Sequence, residues 1–192
     1  MPTIAPTRIQ DARNLAWLDL EMTGLDPDRD VILQAAVVIT DGELRPLEEF
    51  VCDVWQPPEL VARMSPFVRD MHTTSGLLAR LPQAALDVRA AERELLIRVA
   101  GWCPCPATLC GNSIWNDRQF LERSMPGLAR YFHHRLLDVT ALKLVAQIFF
   151  GEGAEFAKPE AGRHEALADA RASIAELAHY RKTILRTRPA GV

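Results

Sequence analysis

The chain carries little surplus charge of either sign: 22 Lys and Arg stand against 25 Asp and Glu, a formal net charge of -3. That balance argues against a protein that holds nucleic acid by bulk positive charge, which needs many basic residues to displace counterions along the backbone. Action on nucleic acid at a small local site stays open, with metal ions supplying the positive charge. Cysteine is scarce as well: Cys52, Cys103, Cys105 and Cys110 include no CxxC pair, which argues against a structural zinc site. No basic segment followed by an apolar stretch opens the sequence, so no signal peptide is read and disulfides are not expected. Long hydrophobic runs are missing too. Val31 to Ile39 is interrupted by Gln34 and is far too short to span a bilayer. A cytoplasmic protein without a membrane partner is therefore expected. What remains is a chain of 192 residues, 48% hydrophobic, long enough for one domain with a real core.

Residues 1–13, with two prolines and no periodicity, read as a flexible arm before a single domain over 14–185, and 186–192 as a tail. NLAWLDLE over 14–21 reads as a strand with Leu15, Trp17, Asp19 and Glu21 on one face and Ala16, Leu18 and Leu20 on the other. VILQAAVVIT is a buried strand ending at Asp41-Gly42, a hairpin signal, and residues 43–54 return beside it. Ser65-Pro66 has the form of a helix N-cap followed by proline at the first helical position. A helix is expected from Pro82 to about Trp102, a short strand over 107–111, and a helix from Asp117 to Ser124 stopped by Pro126-Gly127. Then come a strand over 135–139, a helix over 140–150 and a last helix opened by His164. This order gives an α/β fold, a mixed sheet flanked by helices.

Two acids two apart on an apolar strand project from one face, and burying them together is costly unless something neutralises them. A solvent-exposed strand end satisfies that condition; so does a hard divalent cation such as Mg²⁺ or Mn²⁺. Asp117, in LCGNSIWNDRQFL, follows a buried strand and a Gly-Asn-Ser turn; a helix-start acid favoured by the dipole is the competing reading. His164 and Asp169, in RHEALADA, are five apart. That is a rotation of roughly 140° on a helix, so His164 must sit at the loop–helix junction for the two to meet. Four acids from three segments plus one His supply what two-metal phosphodiester hydrolysis needs.

WLDLEMTGLDP, GNSIWNDRQFL, HRLLDVTALK and HEALADA resemble, in order, the motifs of oligoribonucleases of the DEDDh 3'-5' exonuclease superfamily, from about Asn14 to Tyr180. The resemblance implies a ribonuclease H-like, five-stranded mixed sheet. It implies that Asp19, Glu21, Asp117 and Asp169 bind two Mg²⁺ or Mn²⁺ ions, with His164 as general base. It also implies a substrate of very short RNA, down to dinucleotides. Leu25 and Phe67 would wedge the two bases, Ser113, Arg135 and Thr140 would cap the 5' phosphate, and His72 would lie near the substrate. A homodimer is implied too, with His134 standing where a cross-interface Tyr is common. Phe67 replaces the usual Trp, Gln34 a usual Glu and Ala168 a usual Asp. The competing readings are a related exonuclease trimming longer single-stranded DNA or RNA, and a non-catalytic nucleotide-binding module on the same fold. The low basic charge disfavours the first and the five intact active positions disfavour the second.

Overall fold

A computed structural model of the chain describes residues 8–151, 154–157 and 164–185. Three antiparallel strands come first: β1 (Leu15–Met22), β2 (Ile32–Thr40) and β3 (Pro46–Asp53). Three short helices follow, α1 (Pro58–Val61), α2 (Pro66–Thr74) and α3 (Leu77–Arg80), then α4 (Val88–Trp102). Next are β4 (Ala107–Gly111), α5 (Trp115–Ser124), α6 (Pro126–Tyr131), β5 (Phe132–Asp138), α7 (Val139–Phe149) and α8 (Ala166–Thr183). β4 adds parallel to β1 and β5 parallel to β4, giving one sheet of order β3-β2-β1-β4-β5. This is the expected mixed five-stranded sheet.

Strand alternation divides the core between the two sheet faces. Ala16, Leu18 and Leu20 of β1 pack with Leu95 and Val99 of α4, Phe120 and Leu121 of α5, and Leu128 of α6. Trp17 packs on the opposite face with Val139 and Ala146 of α7 and Ala170, Leu177 and Tyr180 of α8. All nine residues of β2 are buried, as its continuous apolar run requires. Leu95 is wholly buried, and truncating it to Ala would cost about 2–5 kcal/mol in lost burial and residual cavity. The two-faced core is what puts α8 on the Asp19 and Glu21 side of β1. Among the described residues no helix is long and apolar enough to cross a membrane.

Several boundaries differ from expectation for identifiable reasons. The helix expected from Pro82 begins at Val88, because the Asp87 side chain accepts the Ala90 N–H at 2.8 Å and fixes the start there. Pro126-Gly127 opens α6 instead of merely ending α5. Glu92 Oε1 accepts the N–H groups of Gly127 at 2.5 Å and Leu128 at 3.1 Å, a cap contributed by a distant helix. The strand expected from Arg135 begins earlier, at Phe132. Of the arm expected over 1–13, residues 1–7 lie outside the described residues, as does the tail at 186–192. Residues 8–14 are tied down: Gln10 Nε2 donates to Ala100 O, and Asp11 N and Asn14 Nδ2 donate to Trp102 O.

Candidate active site

Glu21 and Asp19 share the α8 face of β1, as alternation requires. Glu21 is 7% exposed and stands opposite Gln34 in the antiparallel register, with a bulge immediately after it. Gln34 is buried too, and both ends of its amide are used. Nε2 donates to Asp53 Oδ1 at 2.6 Å, while Oε1 accepts the Ala166 N–H at 2.9 Å. The N-cap residue of α8, Glu165, makes no side-chain cap of its own, so β2 supplies a cap through Gln34. The first turn of α8 is thereby held against Glu21.

His164 lies two residues before α8 in the left-handed region, φ 65°. This turn solves the five-residue problem. The chain doubles back so that the His164 N–H donates to Asp169 Oδ2 at 2.9 Å. Glu21, His164 and Asp169 consequently offer donor atoms that all lie within 4.8 Å of one another.

Asp117 arrives from the other neighbouring segment. The β1–β4 pairing ends at Trp17 and Cys110, and beyond it the Leu20 N–H is taken by Asp117 Oδ1 at 2.9 Å. Asp117 is thus a buried acid bonded to the strand that carries Asp19 and Glu21, which a surface dipole partner would not be. Gly111 permits this approach, since a Cβ there would stand 2.9 Å from the Leu18 carbonyl oxygen and 2.8 Å from Ile114 Cδ1.

Burial pushes the Glu21 carboxyl up to about 8, with the charges of Asp169, Asp117 and Glu165 adding to the rise. Burial likewise pushes Asp117 up to about 7, against the stabilising Leu20 N–H. His72 faces Glu21, its Nδ1 3.8 Å from Glu21 Oε2. Burial holds this imidazole below its ordinary value, so it is a poor counter-charge. Its Nε2 lies 2.8 Å from the Met22 carbonyl and must carry the proton, leaving Nδ1 as a buried nitrogen without a hydrogen-bond partner. Hard oxygen donors in a buried, self-repelling cluster fit a divalent cation, whose charge would relieve the cost.

The residues expected to meet substrate are dispersed around this centre. Leu25 and Phe67 are 73% and 78% exposed. A cavity of about 390 Å³ is lined by Gly24 and Asp26, which flank Leu25, and by Ser65 and Val68, which flank Pro66-Phe67. The Leu25 turn is braced by Asp30, which accepts from Thr23 Oγ1 at 2.9 Å and from the Asp26 N–H at 3.0 Å. Ser65 caps α2 through the Val68 N–H at 3.3 Å, with Pro66 at the first helical position. Ser113 and Thr140 meet, Oγ to Oγ1, at 3.1 Å, and Asp138 Oδ1 accepts both of their N–H groups. Arg135 is exposed on β5, three residues before Asp138, roughly 10 Å along the strand. His134 stacks on His133 with ring centroids 4.1 Å apart. Its i±2 neighbours Phe132 and Leu136 pack into the cluster on the sheet face away from Glu21. His72 is fully buried beside Glu21, with its Nε2 on the Met22 carbonyl and no open face toward substrate. Sequence reasoning missed Gln34 as the brace of α8; an amide on an otherwise apolar buried strand was the available signal.

Residues 16–177 match the RNase_T exonuclease family. Oligoribonuclease from Francisella tularensis subsp. tularensis is 43% identical over 179 residues, 92% of this chain and 99% of that protein. Oligoribonuclease from Pseudomonas aeruginosa is 43% identical over 180 residues, covering 93% and 99%. Among solved structures, E. coli exonuclease I in complex with a dA16 oligonucleotide is similar at a TM-score of 0.71 and 14% identity. That match covers 89% of this chain but 41% of exonuclease I, and it establishes a shared fold.

Proposed function

The chain belongs to the RNase_T exonuclease family, and from that premise we propose that it is a 3'-5' exoribonuclease hydrolysing very short RNA, dinucleotides included, to 5'-mononucleotides. The observation that carries this reading is the convergence of Glu21, His164 and Asp169, with Asp117 bonded to the same strand. Asp19, Glu21, Asp117 and Asp169 would hold two Mg²⁺ or Mn²⁺ ions. When bound, such a pair lowers the pKa of the attacking water and neutralises the leaving oxygen. His164 takes the proton from that water. Its backbone bond to Asp169 holds the turn that carries it beside the carboxylates, and its exposure leaves a path for the proton to solvent. Leu25 and Phe67 receive the two bases by apolar contact and stacking. Ser113, Thr140 and Arg135 hold the 5' phosphate, Arg135 through charge-assisted bonds. His72 supports the site from beneath, holding the Met22 carbonyl after the bulge.

The deciding experiment is the product pattern from a labelled 5'-phosphorylated dinucleotide beside a longer oligomer, with Mg²⁺ and with chelator. Metal-dependent release of mononucleotides, faster from the dinucleotide, is expected. Faster cutting of the long oligomer would make the protein an open-groove exonuclease, and binding without cleavage a non-catalytic module.

We also propose a homodimer that completes the pocket. α7, which follows the edge strand β5 in the chain, leaves Ile148 70% and Phe149 75% exposed, an apolar surface suited to a twofold partner. His134, exposed on β5, would then serve the partner's substrate. Mixing inactive Asp19→Ala and His134→Ala subunits should restore part of the activity. A fully active monomer by light scattering would refute this arrangement.

A further inference from the structure

Three polar side chains stand in a row across the sheet on its α8 face. Glu21 of β1 is opposite Gln34 of β2, and Gln34 is opposite Asp53 of β3 in the antiparallel register. Residues opposite each other in such a ladder project to one side of the sheet. Arg80 of α3 closes the outer end of the row. Its Nε donates to Asp53 Oδ2 at 3.0 Å, its Nη1 donates to the Ser75 carbonyl at 3.4 Å, and Nη1 lies 3.8 Å from Glu165 Oε1. Ser75 is the C-cap of α2 and Glu165 the N-cap of α8. One guanidinium therefore joins the end of the helix that carries Phe67, the edge strand β3 and the start of the helix that follows His164. Neither Asp53 nor Arg80 has a part in the hydrolysis described above.

The hydrogens fix the direction of this row. A carboxylate only accepts, so Gln34 turns Nε2 toward Asp53 Oδ1, 2.6 Å away. Its Oε1 then faces the Ala166 N–H at 2.9 Å. The reversed amide would set an oxygen against the carboxylate and an NH₂ group against the Ala166 N–H, so both ends reject it. Arg80 holds the deciding carboxylate in place through a charge-assisted bond from its rigid fork. Glu165 and Ala166 are the two residues directly after His164. His164 sits at φ 65°, a conformation that a residue with a side chain keeps where its surroundings impose it. Glu165 makes no side-chain cap for α8. Gln34 on Ala166 and Arg80 on Glu165 act on this turn from outside the helix.

We propose that Asp53 and Arg80 are positioning residues for His164: Arg80 fixes Asp53, Asp53 sets the direction of the Gln34 amide, and Gln34 and Arg80 together hold residues 165 and 166, which keeps the imidazole beside Glu21 and Asp169. The contact of Arg80 with Glu165 is too long for a hydrogen bond and partly exposed, so it adds little by itself. The bonds through Asp53 and Gln34 carry the effect. The proposal rests on the exoribonuclease reading given above, in which His164 is the general base.

The test measures kcat and KM on a 5'-phosphorylated dinucleotide in Mg²⁺ for the wild type, Asp53→Asn, Arg80→Gln and Arg80→Lys, each with His164 intact and with His164→Ala. Exchange of the Ala166 amide hydrogen is followed by NMR in the same proteins without metal. Asn at position 53 both donates and accepts, so the Gln34 amide is no longer forced to one direction. Asp53→Asn should lower kcat by about tenfold, the usual cost of losing a group that orients an active-site residue, and change KM much less. Arg80→Gln should act in the same way more weakly, and Arg80→Lys should recover part of the loss, because it keeps the charge without the fork. Exchange at Ala166 should quicken several-fold in Asp53→Asn and Arg80→Gln, while amides in the middle of α8 stay unchanged. With His164→Ala, none of the three changes should lower the residual kcat further. The Arg80 side chain is 42% exposed, so its variants carry the test if Asp53→Asn fails to fold. An equal loss of kcat with and without His164 would give these residues a general structural role and overturn the proposal. So would wild-type kcat, or unchanged exchange at Ala166, in folded variants. Those outcomes leave the exonuclease reading standing. A wild type that cleaves no RNA would remove that reading, and this proposal with it.

Discussion

The raised Glu21 carboxyl makes a thermodynamic prediction that needs no substrate. In the unfolded chain this group titrates near 4.5, and in the metal-free fold near 8. A folded-state value above the unfolded one means that the fold binds the proton more tightly. The associated stability is present below the unfolded value and is lost as pH rises through about 8. One pKa unit corresponds to about 1.4 kcal/mol, so ionising Glu21 in the metal-free fold should cost on the order of 4 kcal/mol. For a domain this size that is a large part of the total stability. Asp117, raised for the same reason, adds a loss of the same sign over a lower window ending near 7. The perturbation is Glu21→Gln, which keeps the shape and removes the charge. The assay is urea denaturation with chelator present, at about pH 5 and about pH 9 on either side of the titration. The wild type should lose several kcal/mol between them, and the variant should lose markedly less. Mg²⁺ should restore the wild type at the higher pH and do little at the lower, where the ion must first displace protons. An equal pH slope in wild type and variant would refute the argument that Glu21 is buried at this cost.

Three further outcomes concern the reaction. Asp19→Ala and Asp117→Ala should each abolish hydrolysis in Mg²⁺ while the circular-dichroism spectrum stays native, and metal-free Asp117→Ala should gain thermal stability at high pH as repulsion is relieved. His164→Ala should lower turnover by about 10² to 10⁴ with calorimetric metal binding nearly intact, because a proton acceptor is lost and not a ligand. Arg135→Ala should remove most of the discrimination between 5'-phosphorylated and 5'-hydroxyl dinucleotides, about 1.5–3 kcal/mol of charge-assisted bonding, and spare longer oligomers.

Much of the site was legible in sequence because its parts break the local rule of the elements that carry them. Two acids on the inward face of an apolar strand are such a break, and the structure leaves Glu21 buried there. The five-residue separation of His164 and Asp169 contradicts a helical face, and the contradiction itself requires the turn found at φ 65°. Asp117 was ambiguous on its own, because a first-turn helix acid has two explanations; the structure leaves it in that first turn but buries it against the Leu20 N–H beyond the end of β4 pairing. The start of α6 was hidden for a different reason. Pro126-Gly127 reads as a stop, and the Glu92 carboxylate that caps the new helix lies 35 residues before Gly127 and 36 before Leu128.

The braces were illegible because each is an ordinary polar residue whose meaning lies in a partner far away in sequence. Gln34 reads as an interruption of a hydrophobic run, yet its amide oxygen caps α8 132 residues later. Glu176 reads as a helix-surface acid, yet it is enclosed by Asn112, 64 residues earlier, and by Tyr180 one turn on. The residues that hold a metal can be guessed from their chemistry alone. Those that brace them can be found only where the fold brings them, and a buried polar group bonded to a distant element is the physical sign of such a role. Gln34 fixes the first turn of α8 beside Glu21, Glu176 ties the middle of α8 to the residue that follows β4, and α8 is the element both of them hold.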